Sequence, residues 1–218
     1  MYGEAHKQRV RPSNSYVDDE GDRDFEDAVG LLAGIQPASR IHDRQGAVQR
    51  LEISMFEAIN WPEAMAPSRS PIHFTNELEV EASPETIWSL LVDPRTWPTF
   101  YPGVGHVQLL DGHDSLRLGT RFETNLAGQD VFASVQEFQP ETRIAWGGYP
   151  KASEASRAYH AWIITPTPKG SHLWTEETMR GPLWIELAKQ DPEVFWRTHE
   201  NLLTALAKVA TERENQAG

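Results

Sequence analysis

Cysteine is absent from the 218-residue sequence. The chain therefore has no disulfide, no thiolate nucleophile and no cysteine-ligated metal site. A chain without cysteine suits a reducing compartment, and we expect a cytoplasmic protein.

Positive charge is scarce. The sequence has 20 Lys and Arg against 32 Asp and Glu, a formal net charge of -12. Neutralisation of phosphates by basic side chains is the main sequence-independent source of nucleic-acid affinity. The composition therefore argues against nucleic acids and anionic membrane surfaces as partners.

Long apolar runs are also missing. No stretch approaches the roughly 18 apolar residues that a membrane span requires. The first twenty residues are polar and lack the apolar core of a signal peptide. We expect a soluble protein with no membrane span and no export signal.

Several catalytic and cofactor motifs are absent. The eight histidines form no HExxH pair, and there is no G-x-S-x-G elbow and no phosphate-binding glycine loop. His160, His172 and Glu177 would come together as metal ligands only if the register of a sheet aligned them. We therefore predict no metal and no cofactor.

The N-terminal region is polar and acidic. Residues 1–40 contain VDDEGDRDFEDAVG and few large apolar residues, a composition typical of a disordered tail. A calcium loop starting at Asp18 does not fit, because its glycine comes fourth and its twelfth residue is Val29. Residues 41–70 are predicted to form a short helix, within RLEISMFEAINW, and a linker. The natural start could also be Met55 or Met65, and the sequence leaves this open.

Regular structure begins near residue 71. HFTNELEVEAS alternates apolar and polar residues as a half-buried strand does, and Ser83-Pro84 then caps a short helix. Six more strands separated by turn residues are predicted near residues 105–110, 120–126, 131–139, 143–148, 158–165 and 172–179. Apolar residues at helical spacing predict a final helix over 192–211, with Asp191 as its cap. We therefore predict an α+β domain over 71–213, with an antiparallel sheet wrapped around the final helix, and a tail over 214–218.

The order of these segments resembles the START-like, SRPBCC superfamily, and within it the polyketide cyclase/dehydrase and lipid-transport branch. The resemblance rests on ELEVEASPETIWSLLVDPRTWPTFYPGV, LGTRFET, RIAWGG and AWIITPTPKGSHLWTEET, followed by the amphipathic helix. It covers about two thirds of the chain. It implies a helix-grip fold, a seven-stranded curved antiparallel sheet around a long C-terminal helix, with an apolar cavity between them. Families of this fold bind lipids, polyketides or hormones, and some members catalyse reactions in the cavity.

The stretch HLWTEETMRGPLW contains two adjacent glutamates, Glu176 and Glu177. If Trp162 faces the cavity, as the resemblance implies, strand alternation turns Glu177 inward and Glu176 to the opposite face. The two carboxylates then cannot act as a catalytic pair on one substrate. Burial in an apolar cavity would disfavour the charged form of Glu177 unless a cation pairs with it, which makes Glu177 a candidate acid or base.

Candidate site residues are the residues that strand alternation turns toward the expected cavity, together with the aromatic side chains expected near it. The candidates for proton transfer are Glu177, His160 and Tyr101. The candidates for ligand contact are Trp97, Phe100, Phe122, Trp146, Trp162, Thr175, Met179, Trp184, Phe195 and His199. An aromatic lining favours a flat or polycyclic ligand.

The favoured function is binding of a hydrophobic or aromatic small molecule, lipid-like or polyketide-like. The first alternative is a polyketide cyclase or dehydratase that uses the same cavity. The second is a protein-interaction module that uses the acidic tail and the helix before Pro62. The sequence does not determine the identity of the ligand or the oligomeric state.

Overall fold

The computed structural model describes residues 59–101, 103–126 and 128–217. These residues contain the seven strands β1 Ile72–Val80, β2 Val104–Leu109, β3 Arg121–Leu126, β4 Gln129–Gln139, β5 Arg143–Pro150, β6 Arg157–Thr167 and β7 Gly170–Arg180. They also contain the helices α1 Pro84–Val92, α2 Pro182–Gln190 and α3 Val194–Ala217, with short 3-10 helices at Glu63–Met65, Pro67–Arg69 and Pro94–Thr99. The predicted acidic tail, Met55 and the predicted helix as far as residue 58 lie outside the described residues, and residues 59–61 are not helical.

The seven strands form one antiparallel sheet in the order β1-β7-β6-β5-β4-β3-β2. Strands β2 to β7 follow one another as a meander, because each connection is short enough for neighbouring strands to pair antiparallel. β1 joins the far edge beside β7, with Phe74 opposite Glu177. The connection from β1 to β2 carries α1, and α3 packs on the sheet. The predicted α+β helix-grip fold is confirmed.

Helix α1 forms as the sequence predicts. Ser83 has extended backbone geometry, and its side-chain oxygen accepts a hydrogen bond from the backbone N–H of Thr86 at 3.3 Å. Pro84 occupies the first turn, where no backbone donor is needed. The buried face of the helix carries Ile87, Leu90 and Leu91, so it packs into the main core.

The C-terminal region differs from the prediction in two ways. Helix α3 begins at Val194 and continues to Ala217, so residues 214–217 extend the helix that was expected to end at Thr211. Asp191 lies before it, where its carboxylate accepts from the backbone N–H of Glu193 at 3.1 Å. Helix α2 was not predicted, because its nine residues follow a strand directly and have too few turns for a clear period.

Gly181 makes the sharp change from β7 to α2 possible. Its φ is 105°, and a Cβ there would lie 2.5 Å from Ser156 Cα and 2.6 Å from the carbonyl oxygen of Ala155. A side chain would therefore meet both backbone strain and a steric clash. Pro182 then starts the helix.

The core lies between α3 and one face of the sheet. Leu202, Leu203, Leu206 and Ala210 on α3 are at most 3% exposed. They belong to one cluster with residues of α1 and with the inward side chains of β4 to β7. Helix α3 therefore covers the face of the sheet that was predicted to turn inward, the face that carries Trp162.

The opposite face of the sheet is also covered. Tyr159, Ala161 and Ile163 turn away from α3 as predicted, but all three are buried. Residues of the 61–70 segment supply part of the cover: the Trp61 ring lies 5.3 Å from that of Tyr159, and the carbonyl of Met65 accepts from Thr178 Oγ1 at 2.8 Å.

Candidate functional site

A cavity of about 350 Å³ lies between the sheet and α3. Its walls come from β3 to β7, from the 3-10 helix after α1 and from α2 and α3. All the predicted site residues except Thr175 line it, namely Trp97, Phe100, Tyr101, Phe122, Trp146, His160, Trp162, Met179, Trp184, Phe195, His199 and Glu177.

Thr175 was expected to contact a ligand, but it lies behind His160 instead of in the wall. Its hydroxyl is 2.5 Å from His160 Nε2 and donates to the carbonyl of Ala161 at 3.1 Å. Thr175 points toward the correct face of β7, but the imidazole ring lies over it. Its contribution to the site is therefore to hold a histidine.

The sequence prediction missed part of the wall. On β3 and β4 the same face continues from Phe122 through Thr124 and Leu126, paired with Ala133, Val131 and Gln129. Alternation from Phe122 could have identified these residues. Leu183 and Leu187 on α2 also line the cavity, and they were missed because α2 was not predicted. Val194 and Thr198 line it from α3, which was predicted, but the way α3 packs on the sheet decides which of its residues reach the cavity.

Aromatic rings form one end of the cavity. The Trp97 ring lies 5.8 Å from Phe122 and 5.5 Å from Trp146, and Trp146 lies 6.4 Å from Trp162. These spacings are within the range of edge-to-face and tilted aromatic contacts. The result is a rigid apolar wall with few rotatable groups.

A carboxylate and an imidazole meet in the middle of the cavity. Glu177 Oε2 lies 2.8 Å from His199 Nε2, and both side chains are less than 9% exposed. The distance is that of an ion pair, although the N–H direction is poorly aligned for a hydrogen bond. His199 Nδ1 lies 2.9 Å from the carbonyl oxygen of Phe195, so Nδ1 carries a proton. Nε2 is therefore the nitrogen of His199 that faces the carboxylate of Glu177.

His160 has a fixed tautomer. The Thr175 hydroxyl already donates its hydrogen to Ala161, so it can only accept from His160 Nε2. Nε2 therefore bears the proton and Nδ1 bears the lone pair. Burial lowers the pKa of His160 well below its ordinary value of 6.5, and the neighbouring His199 lowers it further. The ring is neutral at physiological pH.

Tyr101 completes the polar part of the wall. It keeps some surface along the cavity, yet its phenol is surrounded by protein. This burial raises the pKa of Tyr101 above its ordinary value of 10.0, and the charge of Glu177 raises it further. Tyr101 therefore stays protonated and is available as a hydrogen-bond donor.

The two adjacent glutamates lie on opposite faces of the sheet, which confirms the prediction from alternation. Glu177 faces the cavity, opposite His160 in the register of β6 and β7. Glu176 Oε1 lies 2.7 Å from His73 Nε2 on the other face. His172 does not join the cavity cluster and lies 2.9 Å from Glu77.

The geometry agrees with the comparisons. A family model described as "Polyketide cyclase / dehydrase and lipid transport" matches residues 71–211, more than half of the chain. The chain belongs to this family. The sequence resemblance is thereby confirmed. No curated protein matches the chain.

Solved structures share the fold of this cyclase and lipid-transport family member. A hypothetical protein from Helicobacter pylori, jhp0584, is 25% identical, with a TM-score of 0.65 over 70% of this chain and 95% of that one. Protein CV1439 from Chromobacterium violaceum is 18% identical, with a TM-score of 0.51 over 65% and 99%. The di-domain ARO/CYC StfQ from the steffimycin biosynthetic pathway is 16% identical, with a TM-score of 0.54 over 66% and 52%.

In the part of this family member that the structure describes, no helix is long and apolar enough to cross a membrane.

Proposed function

We propose that the protein binds a hydrophobic or aromatic small molecule in the cavity between the sheet and α3. The observation that carries the proposal is the cavity itself, about 350 Å³ in volume and lined mainly by aromatic and aliphatic side chains. Pockets for small organic ligands typically start at about 300 Å³ and combine an apolar lining with a few polar groups. Membership of the cyclase and lipid-transport family supports this class of ligand.

The rigid aromatic end and the polar middle suggest how such a ligand would lie. Trp97, Trp146 and Trp162 offer flat faces for an apolar ring system. Glu177, His199 and Tyr101 would contact a polar substituent of that ligand. A hydroxylated or carbonyl-bearing polycycle would satisfy both parts of the wall.

Binding can be tested with the neutral fluorescent probe N-phenyl-1-naphthylamine. We expect saturable binding of one probe per chain. Ala133→Leu should weaken the binding about tenfold, because Ala133 lines the cavity and the added bulk would cost about 1–3 kcal/mol. Leu118→Ala is the control, since Leu118 is an exposed apolar residue. Equal affinity for the wild type and Ala133→Leu would refute the proposal, as would loss of binding in Leu118→Ala.

Native mass spectrometry of the purified protein addresses the identity of the ligand. A co-purifying apolar molecule that is absent from preparations of Ala133→Leu would support the proposal. Circular dichroism should show that this variant keeps the native fold.

A second candidate function is a cyclase or dehydratase. The Glu177 and His199 pair favours it, and so does the likeness to the ARO/CYC protein. In a dehydration, the pair would remove the proton next to a substrate carbonyl and pass it to the departing hydroxyl, to which the Tyr101 phenol would donate a hydrogen bond; the hydroxyl leaves as water and an enone remains. Positioned proton transfer of this kind contributes about 10²–10⁴-fold in rate.

This second candidate can be tested with a β-hydroxy ketone that carries an aromatic group, by following the enone absorbance. Glu177→Gln should lower kcat by about 10²–10⁴-fold. Glu176→Gln is the matched control, because the neighbouring carboxylate faces the other side of the sheet. A wild type without turnover, or equal rates in both variants, would leave binding without catalysis as the function.

A further inference from the structure

We infer that His160, Glu177 and His199 form a binding site for a divalent metal ion of the zinc class. This goes beyond the proposed binding of an apolar molecule and does not depend on it. The sequence predicted no metal site, because the three residues lie on β6, β7 and α3 and form no motif along the chain. The fold brings their ligand atoms within 4.8 Å of one another.

In each ring one nitrogen is engaged in a hydrogen bond with a neighbouring group, and the other nitrogen is left for a metal. His199 Nδ1 donates to the carbonyl of Phe195, so Nε2 is the atom that faces Glu177. His160 Nε2 donates to Thr175 Oγ1, which in turn donates to a carbonyl, so Nδ1 bears the lone pair. Histidines that bind metals almost always donate their other ring N–H to a carbonyl, a carboxylate or a similar acceptor. Both histidines of this cluster satisfy that requirement.

The charge of the cluster also favours a cation. All three side chains are more than nine-tenths buried. Among the described residues that line the cavity there is no Lys or Arg to neutralise Glu177. A divalent ion held between the two imidazoles and Glu177 would compensate the buried carboxylate.

The donor set indicates the class of metal. Two imidazole nitrogens and one carboxylate oxygen suit Zn²⁺ and neighbouring first-row ions better than Ca²⁺ or Mg²⁺, which prefer oxygen ligands. Ligand bonds of about 2.0–2.2 Å require Glu177 and His199 to separate slightly from their present 2.8 Å contact. Three protein ligands leave a further position for water or for an oxygen atom of a cavity ligand.

The test uses the full chain without an affinity tag, treated with a chelator and then titrated with Co²⁺. We expect one equivalent to bind with visible d–d absorption, and Zn²⁺ to displace it. Glu177→Gln keeps the size of the side chain and should weaken Co²⁺ binding by about a hundredfold or more. Thr175→Val keeps all three ligands and should weaken binding by about 10–100-fold, the usual effect of losing such a supporting hydrogen bond.

Two controls separate this site from other metal-binding groups. His106→Asn removes an exposed histidine, and Glu176→Gln removes the carboxylate on the other face of the sheet. Both should bind Co²⁺ like the wild type, and Zn²⁺ should raise the Tm of these proteins but not that of Glu177→Gln. Absence of the Co²⁺ absorption in the wild type would overturn the inference, as would equal binding by Glu177→Gln.

Discussion

At the scale of single residues, the site depends on groups that orient other groups. Thr175 does not line the cavity, yet it determines which nitrogen of His160 carries the proton. The carbonyl of Phe195 does the same for His199. Because each of these partners accepts from one ring nitrogen, the tautomer of each histidine is defined and the other nitrogen is left free.

Replacement of Thr175 tests this role. In Thr175→Val the ring N–H of His160 loses its acceptor, and we expect a loss of about 1–3 kcal/mol in the free energy of unfolding. Nitrogen NMR shifts should show that His160 no longer holds a single tautomer. Thr178→Val is the matched control, since Thr178 is also buried on β7 and donates to Met65 on the other face. It should lose similar stability and leave the His160 signals unchanged.

At the scale of elements, α3 is held to the start of α1 by one carboxylate. Glu214 Oε2 accepts from the backbone N–H of Ser83 at 3.2 Å, from Ser83 Oγ at 3.0 Å and from the Thr86 hydroxyl. A carboxylate at a helix N-terminus also interacts favourably with the helix dipole. These contacts give the last turns of α3 a partner and explain why the helix continues to Ala217.

The contact of Glu214 should be visible in the pH dependence of stability. Hydrogen bonds from Thr86 and then from Ser83 lower the pKa of Glu214 below its ordinary value of 4.5. The folded state therefore binds this proton less readily than the unfolded state, and the stabilisation is present above pH 4.5 and is lost as the pH falls through the lowered pKa.

Glu214→Gln should consequently be less stable than the wild type near pH 7, and the difference should shrink as the pH is lowered toward 3. Urea unfolding across this range measures it. Glu212→Gln is the control, because Glu212 is 59% exposed and lies 4.0 Å from Lys208. A difference for Glu214→Gln that is independent of pH would contradict the assigned contact.

At the scale of the whole molecule, the sheet and α3 enclose both a solid core and a cavity. Leu202 and Leu206 lie one turn apart on α3 and are both buried. Leu202 lines the cavity, whereas Leu206 belongs to the packed core. The boundary between the two regions therefore crosses the helix between these residues.

Truncation of each leucine should separate the two regions. Leu202→Ala and Leu206→Ala should each cost about 2–5 kcal/mol in the free energy of unfolding, because both remove buried apolar contacts. Only Leu202→Ala should enlarge the cavity and tighten the binding of an apolar probe larger than N-phenyl-1-naphthylamine. Lys208→Ala, at an exposed position of the same helix, should change neither quantity. Unchanged melting curves in both leucine variants would mean that α3 is not packed as described.

The sequence alone determined the features that have a local period. Alternation along β1 and β7 placed the strands and separated Glu176 from Glu177, Ser83-Pro84 marked the start of α1, and the apolar stripe marked α3. It also placed Trp162 and His160 on one face, since residues two apart on a strand point the same way.

Only the tertiary structure decided how these faces meet. The pairing of Glu177 with His199, the burial of Thr175 behind His160 and the contribution of α2 to the wall depend on strand register and on the position of α3. These contacts join residues that are far apart along the chain or that belong to different elements, and no local repeat encodes them. The sequence therefore determined which residues face inward, and the packing of α3 on the sheet decided which of them form a site.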